Sequence, residues 1–260
     1  MIGIIYFGVI FFACIIGAIV GLGGGVFIRP IFDAIGYHTV LNISFYSSTA
    51  IITMAIVSTL KKLKDGLGLD AKIALLISGG AVVGGFLGIY ILEQLVSNFA
   101  SEDNVQVVLA IVTTIIIISA IIATFKSGKR YKLESKVALP FIGVGLGTIS
   151  SFLGIGGGPI NVPLFMILFG FPIKKATAYS IVIIFFSHAS KLISMGVRIG
   201  YSNFDLRPLP FVIAAAALGG FVGANLSKVF SEDMVKKLFV IALSIVVVLN
   251  IVNGINFIRG

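Results

Sequence analysis

Eight apolar blocks follow one another along this chain and leave little choice of architecture. They cover residues 2–20, 41–60, 71–92, 105–125, 137–153, 176–197, 209–226 and 238–252, each about 15 to 22 residues long. A helix that crosses a bilayer needs around 20 predominantly apolar residues. The blocks are near-uniformly apolar and lack the period-two alternation of an outer-membrane barrel strand. Only 11% of the 260 residues are charged against 58% hydrophobic, with a mean hydropathy of +1.15, so polar side chains are too few to cover a water-facing surface. The expected fold class is an all-α polytopic membrane protein with about eight hydrophobic segments.

Several function classes fall away on residue content. Cys14 is the single cysteine and there are two histidines, so neither an internal disulfide nor a cysteine-based metal site is expected. No cofactor is expected either. The first residues carry no basic n-region and no small-x-small cleavage site, so block 2–20 reads as a retained segment rather than a cleaved signal. The formal charge of +9 fits a membrane protein whose cytoplasmic loops are rich in Lys and Arg.

The chain also repeats itself. Gly21-Leu22-Gly23-Gly24-Gly25 matches Gly154-Ile155-Gly156-Gly157-Gly158 at a shift of 133, and the same shift carries Pro30 onto Pro163 and Tyr46-Ser47 onto Tyr179-Ser180. Gly84-Gly85-Phe86 then matches Gly219-Gly220-Phe221 at 135, and Ser101-Glu102-Asp103 matches Ser231-Glu232-Asp233 at 130. The order holds while the shift drifts by a few residues, which predicts two internal repeats, residues 1–130 and 131–260, of four segments each. A basic linker at 126–132 joins them and is expected in the cytoplasm. Such repeats are frequent in secondary transporters, whose substrate site lies near the midplane at the repeat interface.

Each repeat opens with a helix, a glycine run and a short apolar arm containing proline. Residues 137–171 as one helix would be about 50 Å long, beyond the roughly 30 Å hydrocarbon core, so the element breaks at its glycines. If the arm continues across, the repeats are parallel and the basic residues split 13 to 6; if it doubles back, the repeats are inverted and the split is 14 to 5. Both arrangements satisfy the positive-inside rule. A helix that restarts after such a break directs free N–H groups and the positive end of its dipole into the protein, so Gly23, Gly24, Gly25, Gly156, Gly157 and Gly158 are candidate elements of an anion cradle. Asn161 follows the second run by three residues and is a candidate contact. Gly80, Gly84 and Gly88 read as a helix-packing face.

Polar side chains within the blocks complete the candidate site. Ser180, Ser187, Lys191 and Ser194 share one helical side, and His188 lies a turn from Lys191. The shift of 133 maps this stripe onto Ser47, Met54, Ser58 and Lys61, so each half combines hydroxyls with a lysine expected near the cytoplasmic end of its segment or deeper. Candidate substrate-binding residues are therefore Ser47, Ser180, His188 and Lys191 beside the glycines and Asn161. Carboxylates are nearly absent from the blocks, which argues against a cation carrier and fits an anion.

The paired Gly-(Leu/Ile)-Gly-Gly-Gly…Pro elements, each heading one half of an eight-segment chain of this length, resemble the TauE/SafE sulfite exporter family over nearly the whole sequence. The resemblance implies a secondary exporter of small sulfur-containing anions such as sulfite, thiosulfate or an organosulfonate across the inner or plasma membrane. A passive anion channel of the same architecture or an intramembrane enzyme are the alternatives; no Ser/His/Asp or paired-Asp set favours the enzyme. Neither glycine run continues into Gly-Lys-Ser/Thr, so ATP is not expected to drive transport directly. The expected partners are a small anionic substrate and the lipid bilayer, with no nucleic acid, and oligomeric state is left open.

Overall fold

A computed structural model of the chain describes residues 2–64, 69–99, 101–125, 135 and 137–259. These form ten α-helices: α1 (Ile2–Val20), α2 (Gly25–Ile35), α3 (Val40–Lys64), α4 (Ala71–Asn98), α5 (Glu102–Phe125), α6 (Ala138–Leu153), α7 (Gly158–Phe169), α8 (Ile173–Arg198), α9 (Leu209–Val229) and α10 (Glu232–Arg259). There is no strand among the described residues, and seven of the helices are long and apolar enough to cross a membrane. The fold is that of an all-α multi-pass membrane protein. The eight apolar blocks correspond to α1, α3 to α6 and α8 to α10, while α2 and α7 are the short arms behind the glycine runs. The basic linker at 126–132 lies outside the described residues.

The short arms double back. A Cβ on Gly17 would overlap the backbone of Gly24, and the Tyr6 ring stacks on Phe32 at 3.9 Å, so α2 runs antiparallel along α1 and ends where α1 began. In the second half Gly157 sits against Ser150 in the same way. Each glycine run is therefore the tip of a helical hairpin that enters and leaves on one face. The crossings that follow are α3, α4 and α5 in the first half and α8, α9 and α10 in the second.

The direction of each half follows from its neighbours. Helix α3 runs alongside α1 in the same sense, with Tyr46 6.1 Å from Tyr6 at one end and Lys62 reaching the Ala18 carbonyl at the other. Helix α4 returns and lies parallel to α6: Gly80 faces Pro140, Gly84 faces Val144, and Gly88 faces Thr148. The second hairpin thus enters from the face opposite the first. Helix α9 packs on α1 correspondingly, Gly219 against Phe11 and Gly223 against Ile15. The two most extensive interhelical contacts, α4 with α6 and α1 with α9, both join the halves. Glycine is needed here because the facing carbonyls approach so closely that any Cβ would collide with them.

Two of the repeated motifs have local explanations. In the glycine runs, the glycines at positions one, three and four of each five-residue run have positive φ in both copies, between 66° and 89°. Side-chain-bearing residues rarely adopt that conformation. The glycine at the fifth position is helical, but a Cβ on Gly25 would press on Ser47 and Gly154, and one on Gly158 would overlap Leu22. In the Ser-Glu-Asp pairs the glutamate accepts an N–H from the first turn of a neighbouring helix: Glu102 from Val40 and Glu232 from Lys174, each at 3.1 Å.

The glycine contacts set up a paired comparison. Gly84→Ala forces a methyl against the Val144 carbonyl and should cost about 1–3 kcal/mol, the usual range for overpacking. Gly79 faces open space, so Gly79→Ala should be neutral or stabilise by about 0.5–1 kcal/mol through helix propensity. Thermal unfolding of the two variants in one detergent checks this, with Gly84→Ala alone expected to melt early.

Candidate functional site

The hairpin tips meet at the centre of the protein. Gly23 and Gly156 lie backbone to backbone, each Cα 3.4 Å from where a Cβ on the other would sit. Breaking α1 and α6 leaves last-turn carbonyls without helical partners, and side chains from other elements supply the donors. Ser47 on α3 donates to the Gly154 carbonyl, and Ser180 on α8 donates to the Gly21 carbonyl, both at 2.8 Å. These two candidate residues therefore hold the opposite tips, and each hydroxyl hydrogen is committed to that bond.

A buried polar cluster surrounds the second tip in two tiers, one helical turn apart. In the charged tier, the Lys191 ammonium of α8 donates to the Ser44 hydroxyl of α3 and to the Ser151 carbonyl of α6, both at 2.6 Å. Arg29 of α2 donates from Nη1 to the Leu153 carbonyl at 3.0 Å. Arg29 Nη1 and Lys191 Nζ lie 2.9 and 3.5 Å from the point where a Cβ on Gly154 would sit, so the two cations share the space beside that glycine. Asp33 approaches Arg29 at 3.7 Å; among the described residues no carboxylate pairs with Lys191.

The neutral tier lies nearer the end at which α6 begins. His188 bridges Ser48 of α3 (Nδ1, 3.0 Å) and Ser150 of α6 (Nε2, 3.2 Å). Ser48 commits its hydrogen to the Ser44 carbonyl at 2.7 Å, so Nδ1 must be the donor in its bond. In the neutral ring Nε2 then accepts from Ser150. Asn161 of α7 sits beside Ser150, its Nδ2 3.4 Å from the Gly157 Cβ position. It is wholly buried, and neither amide atom has a partner. Arg29 Nη2 and Asp33 Oδ1 are unpartnered too. Native interiors rarely leave such groups unmade.

The structure thus brings Asn161, His188 and Lys191 together around the second glycine run, with Gly154 rather than Gly158 at its centre. Gly23, Gly24 and Gly25 pack on the other tip, on Cys14 and on Ser47, while Gly156 and Gly158 pack on Gly23 and Leu22. Because α8 runs opposite to α3, the lysines of the two stripes sit toward opposite faces, not both toward one as expected. Lys61 lies over the Phe221 ring, and the buried lysine of α3 is its neighbour Lys62, which donates to the Ala18 carbonyl at 3.1 Å. Sequence reasoning missed Arg29, Ser44, Ser48, Ser150 and Ser151 as site residues. Arg29 was visible as a charge inside an apolar arm; the serines carry no distinguishing signal.

Comparison with known proteins agrees with this architecture. Residues 6–250 match the family described as "Sulfite exporter TauE/SafE". The "Probable membrane transporter protein YunE" of Bacillus subtilis (strain 168) is 27% identical over 256 residues, covering 90% of this chain and 90% of that protein. No solved structure matches the chain.

The tip bonds generate a prediction about stability. Ser47→Ala or Ser180→Ala leaves a buried carbonyl without its donor, at a cost of about 1–3 kcal/mol. Ser119, exposed and bonded only to its own helix at Ile115, serves as the control. Thermal melts should fall for the first two variants and stay unchanged for Ser119→Ala.

Proposed function

The chain belongs to the TauE/SafE sulfite exporter family and is a multi-pass membrane transporter; from that premise we propose that it moves a small sulfur-containing oxyanion outward through the site at the second hairpin tip. The carrying observation is the Lys191 ammonium, fully buried beside Arg29 and without a carboxylate partner among the described residues. An ammonium in a dry interior is costly unless a counter-charge or hydrogen bonds compensate it. A bound anion is that counter-charge. Two neutral oxygens hold the lysine meanwhile, and its third N–H is left for cargo.

The arrangement of two hairpins entering from opposite faces is the one expected of inverted repeats, and we read residues 1–130 and 131–260 as such copies. The basic residues then divide 14 to 5. Lysines at the end of α3, the starts of α4, α8 and α10 and the end of α9 share one face, which the positive-inside rule assigns to the cytoplasm of a cell or inner membrane. At a negative-inside potential, outward movement of one negative charge gains about 2.3 kcal/mol per 100 mV, so export needs no further coupling ion. Lys191, His188, Asn161 and Ser44 of the site are fully buried. For the intramembrane-enzyme alternative, the Ser150–His188 pair lacks an orienting carboxylate, since Ser48 occupies that position.

Labelled sulfite flux in proteoliposomes, with thiosulfate, a sulfonate and chloride as competitors, tests the reading. Saturable sulfite flux is expected, and folded protein with no anion flux would overturn it. Lys191→Ala should lower flux about tenfold or more, because hydrogen bonds to a charged group contribute about 1.5–3 kcal/mol. Lys64→Ala, at the exposed end of α3, should leave flux unchanged.

A further inference from the structure

Building on the anion-transport reading above, we propose that the cargo is a singly charged oxyanion that keeps one protonated oxygen, so that hydrogensulfite and not the sulfite dianion occupies the site. Two independent features of the cluster select this class: its charge balance and its pattern of unmade hydrogen bonds.

Among the described residues, the charged or titratable groups facing the cluster come from two helices. Helix α2 brings Arg29 and Asp33, which lie 3.7 Å apart and offset one another. Helix α8 brings Lys191 and His188, and the latter is bridged between two serine hydroxyls. Helices α3, α6 and α7 contribute Ser44, Ser48, Ser150, Ser151 and Asn161 to it, none of which carries charge. With His188 neutral, one positive charge remains, on Lys191. A monoanion brings the buried site to neutrality; a dianion would leave one negative charge buried away from water, which is strongly disfavoured.

The hydrogen bonds point the same way. Arg29 Nη2 and Asn161 Nδ2 are donors without partners, suited to the bare oxygens of an anion. Asn161 Oδ1 and Asp33 Oδ1 are buried acceptors without donors. Ser150, the hydroxyl beside Asn161, sends its hydrogen to His188 and cannot satisfy the amide oxygen. A cargo that itself carries an O–H can do so. Hydrogensulfite supplies one; the sulfite dianion, thiosulfate and an alkyl sulfonate do not. A site that hydrogen-bonds a cargo hydroxyl rejects analogues lacking it, because its own buried group is then left unpaired.

The test is sulfite flux through the native chain in proteoliposomes over a pH range that converts hydrogensulfite to the dianion. Methanesulfonate, whose charge stays fixed over that range, reports any titration of the protein itself and is divided out. The expected result is a KM in total sulfite that rises about tenfold per pH unit above the second ionisation of sulfite and stays constant per hydrogensulfite, with thiosulfate competing poorly. Asn161→Leu should bring the KM values for hydrogensulfite and methanesulfonate together, whereas Lys191→Gln should weaken both alike. A corrected KM that follows the dianion, thiosulfate competing as well as hydrogensulfite, or an Asn161→Leu variant with unchanged preference would each overturn the proposal while leaving anion transport standing. Absence of flux for every anion would remove the transport reading as well.

Discussion

Backbone that leaves helical geometry inside a bilayer must find hydrogen-bond partners in the protein, since lipid offers none. The two glycine breaks face this demand at the same place. Each tip exposes last-turn carbonyls, and each is met from the other half or from a facing helix: Ser47 at Gly154, Ser180 at Gly21, Lys62 at Ala18, Lys191 at Ser151 and Arg29 at Leu153. The cations are therefore placed by the breaks. A carbonyl-lined helix end carries partial negative charge and makes buried ammonium and guanidinium groups tolerable before any cargo arrives.

That dual use explains why the cluster is lopsided although the helices follow the same order twice. At the first tip Lys62 is the one cation that binds a tip carbonyl among the described residues, and the positions matching Arg29 and His188 by the 133-residue shift are Val162 and Ala55. Lys62 and Lys191 nevertheless bind carbonyls that the same shift superimposes, Ala18 and Ser151, from positions one helical turn out of register. The charge needed to compensate each helix end is kept in both halves, while the additional donors and acceptors collect at one.

The class of fold was legible because membrane spans write themselves in runs of apolar residues, and the break positions because three glycines within apolar sequence have few other uses. Whether the arms turned back was not legible. Both charge splits obeyed the positive-inside rule, and only the contacts of Tyr6 with Phe32 and of Gly17 with Gly24 decide it. Asn161, His188 and Lys191 stood out as polar groups at depth. Ser47 and Ser180 stood out equally, and their hydroxyls hold the carbonyls of the opposite tips, a pairing between distant helices that a sequence does not display. Ser44, Ser48 and Ser150 were lost among other serines because their meaning comes from helices distant in sequence.

The interlocking of α4 with α6 and of α9 with α1 bears on how such a chain is made and how it could have arisen. When residues up to Phe125 have been inserted, the glycine face of α4 has no backbone to lie against and the Gly21 carbonyl still lacks Ser180. The first half must wait, incompletely packed, for a segment synthesised after it and entering from the other side. A freestanding half would meet the same need by joining a second copy inserted upside down. The single chain keeps such a pair at one-to-one stoichiometry and frees each half to change its side chains separately, which is how Arg29 and His188 can belong to one tip alone.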